Sequence, residues 1–496
     1  MRLFFILLIV TFLFSCSASR NYNPNRKYPK EELQQDYTLL RNILEKKHPS
    51  LYWYTPKDSM DYFFDEGYKA IADSMTELQF GWKILAPLTA TIHCGHTSFS
   101  MSKGWSKFIK DRRIPSFPLF MKIWKDTMVV TGNLNRNDSV IKKGTLITSI
   151  NGLKSGEIVN RMFDYMVEDG YSSNVNYIRL STGFPYFHRN IFGLYKTYHI
   201  GYIDSSGIEK KTWLPYYNPP PDSISKRKTN KPGLREKKLS HKERLKNVRS
   251  LRIDSVFSLM TVNSFSKGHL KKFFKKSFRR LRKQKSKNLV IDIRANGGGD
   301  INNYVLLTKF LRNTSFKVAD TAFAISKNLR PYTRHVSTGF FTNLGLLFIT
   351  HKGKDGNYHF GFWERHTFRP KRNNHFDGNV YVLTNGLTFS ASSLFCNSVK
   401  GQKNITLVGE ETGGGWYGNS GIIIPDIILP NTRMRVRLPY FRLVQYHHIP
   451  EKGTGVIPDV YIGPVLKDAV NGVDTKIERV KQMIIEKDDT PKSPKR

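Results

Sequence analysis

The first part of the chain shows apolar residues at helical spacing. One group recurs at helical spacing, namely Leu33, Tyr37, Leu40, Ile43 and Leu44, and a second group, Phe63, Tyr68, Ile71 and Met75, does so roughly. This period is typical of amphipathic helices with one buried face. We therefore predict a helical N-terminal domain over residues 31–110.

Short β-type runs replace this pattern between residues 113 and 215. One run, residues 141–150, ends in Asn151-Gly152, a dipeptide typical of tight hairpin turns. The same stretch is similar to the Gly-x-x-Ile-x-x-Ile-Asn-Gly segment of bacterial PDZ domains. We predict a PDZ-like domain over residues 113–215, although an unrelated small β domain would give the same pattern.

Residues 216–250 are rich in proline and then strongly basic, with few apolar residues. Such a composition buries too little surface to fold alone, so the segment is predicted to be a linker. It has no apolar face with which to enter a membrane.

From residue 251 the pattern changes to alternating strands and helices. Two β-branched runs, residues 289–293 and 380–384, have the composition of buried strands. Asp300 can cap a helix in which Tyr304, Leu307 and Phe310 share one face. The expected fold class is α/β, with a core sheet over residues 251–470 and a charged tail over 471–496.

The N-terminus carries targeting information. Arg2 precedes an apolar run too short to span a bilayer, and the run ends at Ser15-Cys16. This resembles a bacterial lipobox, which predicts a signal peptide at 1–15, lipidation of Cys16 and a tether over 16–30. The alternative is a secretory signal peptide with a chance cysteine. Ser17 after Cys16 favours, by analogy, the periplasmic face of the outer membrane.

The net charge of +39 attracts anionic partners. However, the chain has no nucleic-acid-binding motif, and neither a metal nor a cofactor is expected. A basic segment at residues 269–281 can be an amphipathic lipid-binding helix or a helix packed on the core. Cys94 and Cys396, the two remaining thiols, are expected to be buried and free.

Ser390 is the main candidate for chemistry. It follows the strand at 380–384 and a run of small residues that suits a sharp turn into a helix. There its hydroxyl can act as a nucleophile, with the Ala391 N–H facing a developing oxyanion. Alternatively, Ser390 is only the N-cap of that helix.

A glycine-rich turn at residues 297–299 follows the strand at 289–293. Its N–H groups can hold either a phosphate or an oxyanion.

A serine nucleophile also needs a base and an orienting carboxylate. His96, at the end of the helical region, and Glu451, after the core strands, are the candidates for these roles.

Together these stretches resemble the C-terminal processing (tail-specific) peptidase family, which includes the tricorn core protease. The resemblance covers residues 251–465 well and 30–120 weakly. Its motifs are listed in chain order: Leu289-x-x-Asp292-x-Arg294-x-Asn296 before the glycines, Ser390-Ala391-Ser392, Val408-Gly409-Glu410-x-Thr412 and Gly455-Val456-x-Pro458-Asp459.

The resemblance implies a serine-type peptidase acting on proteins or peptides, with a Ser-His-Glu site. The lysine of the tail-specific branch is replaced by Gly415, whereas His96 and Glu451 match the tricorn-like branch. By resemblance, the oxyanion donors are Gly297 or Gly298, together with Ala391.

One departure is that Gly95 stands where the family has serine. It keeps open a second hypothesis, a catalytically degenerate lipoprotein that binds peptides through its PDZ-like module.

Overall fold

The structure is a computed structural model that describes residues 22–110, 112–220, 240–338, 345–346, 348–446, 453–466 and 471–489. The signal peptide, Cys16, most of the predicted linker and Glu451 lie outside these residues. No helix in the described ranges is both long and apolar enough to cross a membrane.

The N-terminal part is helical, as the periodicity predicts. Its elements are β1 (Lys27–Pro29), α1 (Lys30–Lys47), α2 (Lys57–Lys69), β2 (Ser74–Thr76), α3 (Glu77–Phe80), a π-helical turn (Gly81–Leu85), α4 (Ala86–Thr91), β3 (Phe99–Ser100) and α5 (Lys103–Ile109). All five apolar residues of the first group are buried on α1.

The prediction for the second apolar group is wrong. Helix α2 ends at Lys69, before Ile71 and Met75, and its buried residues are Met60 and Phe64. Phe63 and Tyr68 are exposed instead. The apolar face of α2 therefore begins three residues earlier than the pattern indicated.

A β module follows, built from a sheet in the order β4-β5-β6-β8-β9. Its elements are β4 (Leu119–Trp124), β5 (Thr127–Asn133), β6 (Leu146–Ile150), β7 (Leu153–Lys154), α6 (Ser155–Phe163), α7 (Asn174–Phe192), β8 (Thr197–Ile203) and β9 (Glu209–Pro215). Asn151 and Gly152 both have positive φ and turn β6 back onto β7, as predicted. The loop between α6 and α7 reaches the candidate site.

The remaining residues form the α/β core. Its helices are α8 (His241–Val248), α9 (Leu270–Lys283), α10 (Ile301–Lys309), α11 (Gly361–Arg365), α12 (Ala391–Val399) and α13 (Thr475–Asp489), with a 3-10 turn at Tyr332–Arg334.

The core strands belong to three sheets. They are β10 (Arg249–Ile253), β11 (Ser258–Val262), β12 (Asn288–Asp292), β13 (Ala319–Ala324), β14 (Val336–Ser337), β15 (His351–Lys352), β16 (Tyr358–His359), β17 (Asn379–Thr384), β18 (Ile405–Gly409), β19 (Gly418–Asn419), β20 (Asp426–Ile428), β21 (Arg435–Arg437), β22 (Arg442–Gln445) and β23 (Val460–Tyr461).

The central sheet has the order β10-β11-β12-β17-β18-β23 and is parallel from β11 onwards. Because β12 and β17 are adjacent and parallel, the loops that follow them leave the same edge of the sheet. These loops carry the glycine-rich turn and Ser390.

The basic helix α9 packs on this core. Phe273, Phe274, Phe278 and Leu281 are buried in it, so the apolar face that lipid binding requires is occupied. The core-packed alternative is confirmed.

Two predictions about segment ends need correction. Residues 241–248 form α8 rather than linker, since a capping box between Ser240 and Glu243 starts the helix. The predicted charged tail contains α13, whose Val480 and Ile484 pack against the central sheet. Val480 and Ile484 are four positions apart, which is the spacing of neighbours on one face of a helix, even though the surrounding segment is charged.

Candidate active site

Ser390 lies at a strained turn between β17 and α12. Its φ of 56° and ψ of −123° are unusual for a residue with a side chain. Ser390 occupies the N-cap position of α12, but its hydroxyl makes no capping hydrogen bond to that helix among the described residues. The turn presents the hydroxyl at the mouth of a helix, as the nucleophile hypothesis requires.

The glycine-rich turn after β12 packs directly against Ser390. A Cβ on Gly298, which has φ of 100°, would lie 2.7 Å from Ser390 Cβ and 2.9 Å from the Ala391 nitrogen. Only glycine therefore permits this approach.

The candidate oxyanion donors are not equivalent. Of the two alternatives Gly297 and Gly298, the Gly298 N–H donates to Asn296 Oδ1 at 2.9 Å. Neither the Gly297 nor the Ala391 N–H donates to another group in the described ranges. We therefore keep Gly297 and Ala391 as the candidate donor pair, with Gly298 providing the close contact.

The side chains of His96 and Ser390 lie close together beside Gly421. A Cβ on Gly421 would lie 2.9 Å from both His96 Nε2 and Ser390 Oγ. The two side-chain atoms are therefore separated by no more than twice that distance. Helix α4 and the turn after it bring His96 to this place, and the ring is buried.

Asp169 supplies a carboxylate on the other side of the imidazole. Its Oδ1 lies 3.7 Å from His96 Nδ1, slightly beyond hydrogen-bond range. Asp169 is buried in the loop between α6 and α7, where it accepts the Gly95 N–H at 2.7 Å and the Gly415 N–H at 3.4 Å. The sequence analysis missed this residue and assigned the role to Glu451, which lies outside the described residues.

The electrostatics of His96 follow from this neighbour. Burial lowers the pKa of the imidazole, but electrostatic attraction to the Asp169 carboxylate, together with the neighbouring Cys94, outweighs that cost and raises the pKa to about 9. The cationic ring, the form that His96 takes after it has accepted a proton, is thus stabilised, whereas the neutral ring is the form that acts as the base.

Gly95 has a structural reason that the sequence did not reveal. A Cβ at this position would lie 2.5 Å from the ring of Phe389, which itself packs 4.9 Å from the His96 ring. The Gly95 N–H also holds Asp169. Packing therefore gives a structural reason for glycine at this position.

Cys94 completes the surroundings of His96. One ligand-type atom from each of Cys94, His96 and Asp169 lies within 4.8 Å of the others, and all three residues are buried. Cys396, the other thiol, is also buried and free, as predicted.

Three residues of this site escaped the sequence analysis: Asp169, Phe389 and Gly421. Asp169 lies in an acidic loop without periodicity, and only its position before Gly170 hinted at a special turn. Phe389 and Gly421 act by shape, which no residue pattern indicates.

A serine at a strained helix mouth, a histidine facing it and a carboxylate behind the ring form an arrangement typical of serine hydrolases. Residues 257–462 match the model of peptidase family S41. The chain therefore contains a peptidase family S41 domain, and this supports a serine-type peptidase in general. The matched range includes Ser390 but neither His96 nor Asp169.

Solved structures share the fold. Mature CPAF complexed with lactacystin is 13% identical with a TM-score of 0.61, covering 92% of this chain and 98% of that chain. Mature CPAF alone is 14% identical with the same TM-score, covering 93% and 99%. No curated protein matches the chain.

Proposed function

We propose that this protein is a serine peptidase with Ser390 as nucleophile, His96 as general base and Asp169 as the carboxylate that orients the base. The observation that carries this proposal is that Ser390 Oγ and His96 Nε2 lie close together beside Gly421. Each of the two atoms would be 2.9 Å from a Cβ placed on Gly421. A hydroxyl on a strained turn with an imidazole nitrogen close by is what acyl transfer needs.

The proposed chemistry proceeds through an acyl-enzyme. Ser390 Oγ attacks the peptide carbonyl carbon while its proton passes to His96 Nε2, and the Gly297 and Ala391 N–H groups receive the oxyanion. His96 then gives that proton to the leaving amine. In the second half, His96 takes a proton from a water that attacks the acyl carbon, and it then gives that proton to Ser390 Oγ as the acyl group leaves as a free carboxylate. Asp169 favours the Nδ1–H tautomer, which leaves Nε2 free to accept.

The proposed substrates are proteins or peptides of the cell envelope. Support for this location comes from the lipobox-like Leu13-Phe14-Ser15-Cys16. Acylation of Cys16 would anchor the enzyme, with the outer membrane favoured by Ser17. Metabolic labelling with a palmitate analogue should mark the full chain and not Cys16→Ser; equal labelling of both would reject the anchor.

A fluorophosphonate probe tests the nucleophile, because it labels only an activated serine. The full chain should be labelled and should hydrolyse a casein substrate, whereas Ser390→Ala should do neither. Ser392→Ala is the matched control, since its hydroxyl is buried in the same helix without a partner in the described residues. Labelling that persists in Ser390→Ala, or is lost equally in Ser392→Ala, would reject the assignment.

A further inference from the structure

The buried cluster of Cys94, His96 and Asp169 combines a thiol, an imidazole and a carboxylate. These are the three ligand types that zinc accepts from proteins. Their nearest ligand atoms lie within 4.8 Å of one another. Ligands of a tetrahedral zinc ion at about 2.0–2.3 Å are closer together than this, so small side-chain rotations would close the cluster around an ion.

A second observation points to a ligand at this place. His96 Nδ1 is buried and has no hydrogen-bond partner among the described residues, with Asp169 Oδ1 at 3.7 Å. A buried polar atom without a partner is energetically unfavourable. A metal ion between His96 Nδ1, the Asp169 carboxylate and the Cys94 sulfur would bind the lone pair of Nδ1 and so give this atom a partner.

We propose that this cluster is an inhibitory zinc site in which the ion and the catalytic proton compete for His96 Nδ1. The inhibitory part rests on the function proposed above. In the active tautomer, Nδ1 carries the proton and Nε2 accepts from Ser390. A zinc ion on Nδ1 leaves the single proton of the neutral imidazole on Nε2, where it blocks acceptance. Binding releases to solvent the thiol proton of Cys94 and, where the ring starts as the imidazolium, its Nδ1 proton, and water is the fourth ligand.

The three ligands come from two segments that lie side by side. Cys94 and His96 are two residues apart on the turn after α4, and Asp169 is held beside them by the Gly95 N–H at 2.7 Å. No fold change is required for all three to meet one ion. The sequence alone predicted no metal, because Asp169 is distant in sequence and the pair Cys94 and His96 lacks metal-binding spacing.

Direct titration with Zn²⁺ against a chromogenic chelator tests the site without relying on catalysis. The full chain should bind one tight equivalent, and Cys94→Ala and Cys94→Ser should each bind at least about tenfold more weakly. Cys396→Ala, which removes the other buried thiol, should bind like the unmodified chain. Co²⁺ should give a thiolate charge-transfer band that both Cys94 variants lack.

The inhibitory effect is measured as the rate of fluorophosphonate labelling. Zn²⁺ should slow labelling at least tenfold in the unmodified chain, and a chelator should restore it. Cys94→Ser should be labelled at the same rate with and without Zn²⁺. Equal Zn²⁺ affinity in the unmodified chain and both Cys94 variants would overturn the site, and tight binding without slowed labelling would overturn its inhibitory role. A chain that is never labelled but binds Zn²⁺ through Cys94 would refute the peptidase proposal and leave the metal site standing.

Discussion

The two sides of the candidate site are built in different ways. Ser390 and the glycine-rich turn lie in consecutive loops of one parallel sheet, within the range that matches peptidase family S41. His96 comes from the N-terminal helices and Asp169 from the β module, both outside that range. The nucleophile side is thus fixed by local strand–turn–helix geometry, whereas the base side depends on contacts between distant segments.

This difference shows where such a site is vulnerable. Strain at Ser390 is maintained by the buried strand before it and the helix after it, and few substitutions elsewhere would relieve it. The position of His96 depends on a chain of loop contacts that runs from Gly95 to Asp169 and Gly415. Substitutions on the base side should therefore change activity more than stability.

The largest effect is expected from Asp169→Asn. Loss of the carboxylate should favour the wrong His96 tautomer and lower kcat by up to about 10⁴-fold, as in other Ser-His-Asp sites. Glu451→Gln is the matched comparison and should have a much smaller effect in the same peptide hydrolysis assay. The opposite ranking would assign the role to Glu451.

The pH profile sharpens the same comparison. His96 must be neutral to accept a proton, and its pKa is raised to about 9 mainly by Asp169 against the opposing effect of burial. The value of kcat/KM should therefore increase with pH through the neutral range towards pH 9. In Asp169→Asn, residual activity should level off at lower pH, because the charge that stabilises the imidazolium is gone. An unchanged profile would show that another group controls His96.

A smaller loss, about 10²-fold, is expected for Gly421→Ala. The added methyl would lie 2.9 Å from both His96 Nε2 and Ser390 Oγ and would push them apart. Gly132→Ala on β5 is the control, since its methyl would meet only ordinary contacts at 3.9 Å. Both variants should unfold at similar temperatures, and full activity of Gly421→Ala would place the reacting atoms elsewhere.

The smallest effect should come from restoring the family serine. Gly95→Ser places a Cβ 2.5 Å from the Phe389 ring, and overpacking of this kind costs about 1–3 kcal/mol. Activity should fall, not rise, and Phe389→Leu in the same chain should recover part of the loss. A gain of activity in Gly95→Ser alone would show that the hydroxyl is needed and the packing explanation is wrong.

Sequence patterns predicted the features that depend on neighbours along the chain. The buried strands, the Asp300 cap, the Asn151-Gly152 turn and the placement of Ser390 before a helix all follow from local residue types. Asp169, Phe389 and Gly421 could not be predicted, because their roles arise only when separate segments meet. The choice between Gly297 and Gly298 as an oxyanion donor could not be made for a related reason, since the Gly298 N–H donates to the Asn296 side chain within the same turn.

The main-chain contact between Gly170 and Gly453 has a consequence for the position of Asp169. A Cβ on Gly170 would lie 2.4 Å from Gly453 Cα, and the neighbouring Tyr171 N–H donates to the Gly453 carbonyl at 2.7 Å. Two segments of the backbone are in direct contact here, with no side chain between them. The loop that bears Asp169 consequently cannot slide independently of the segment beginning at Gly453, so the β module and the α/β core are mechanically coupled one residue away from the carboxylate.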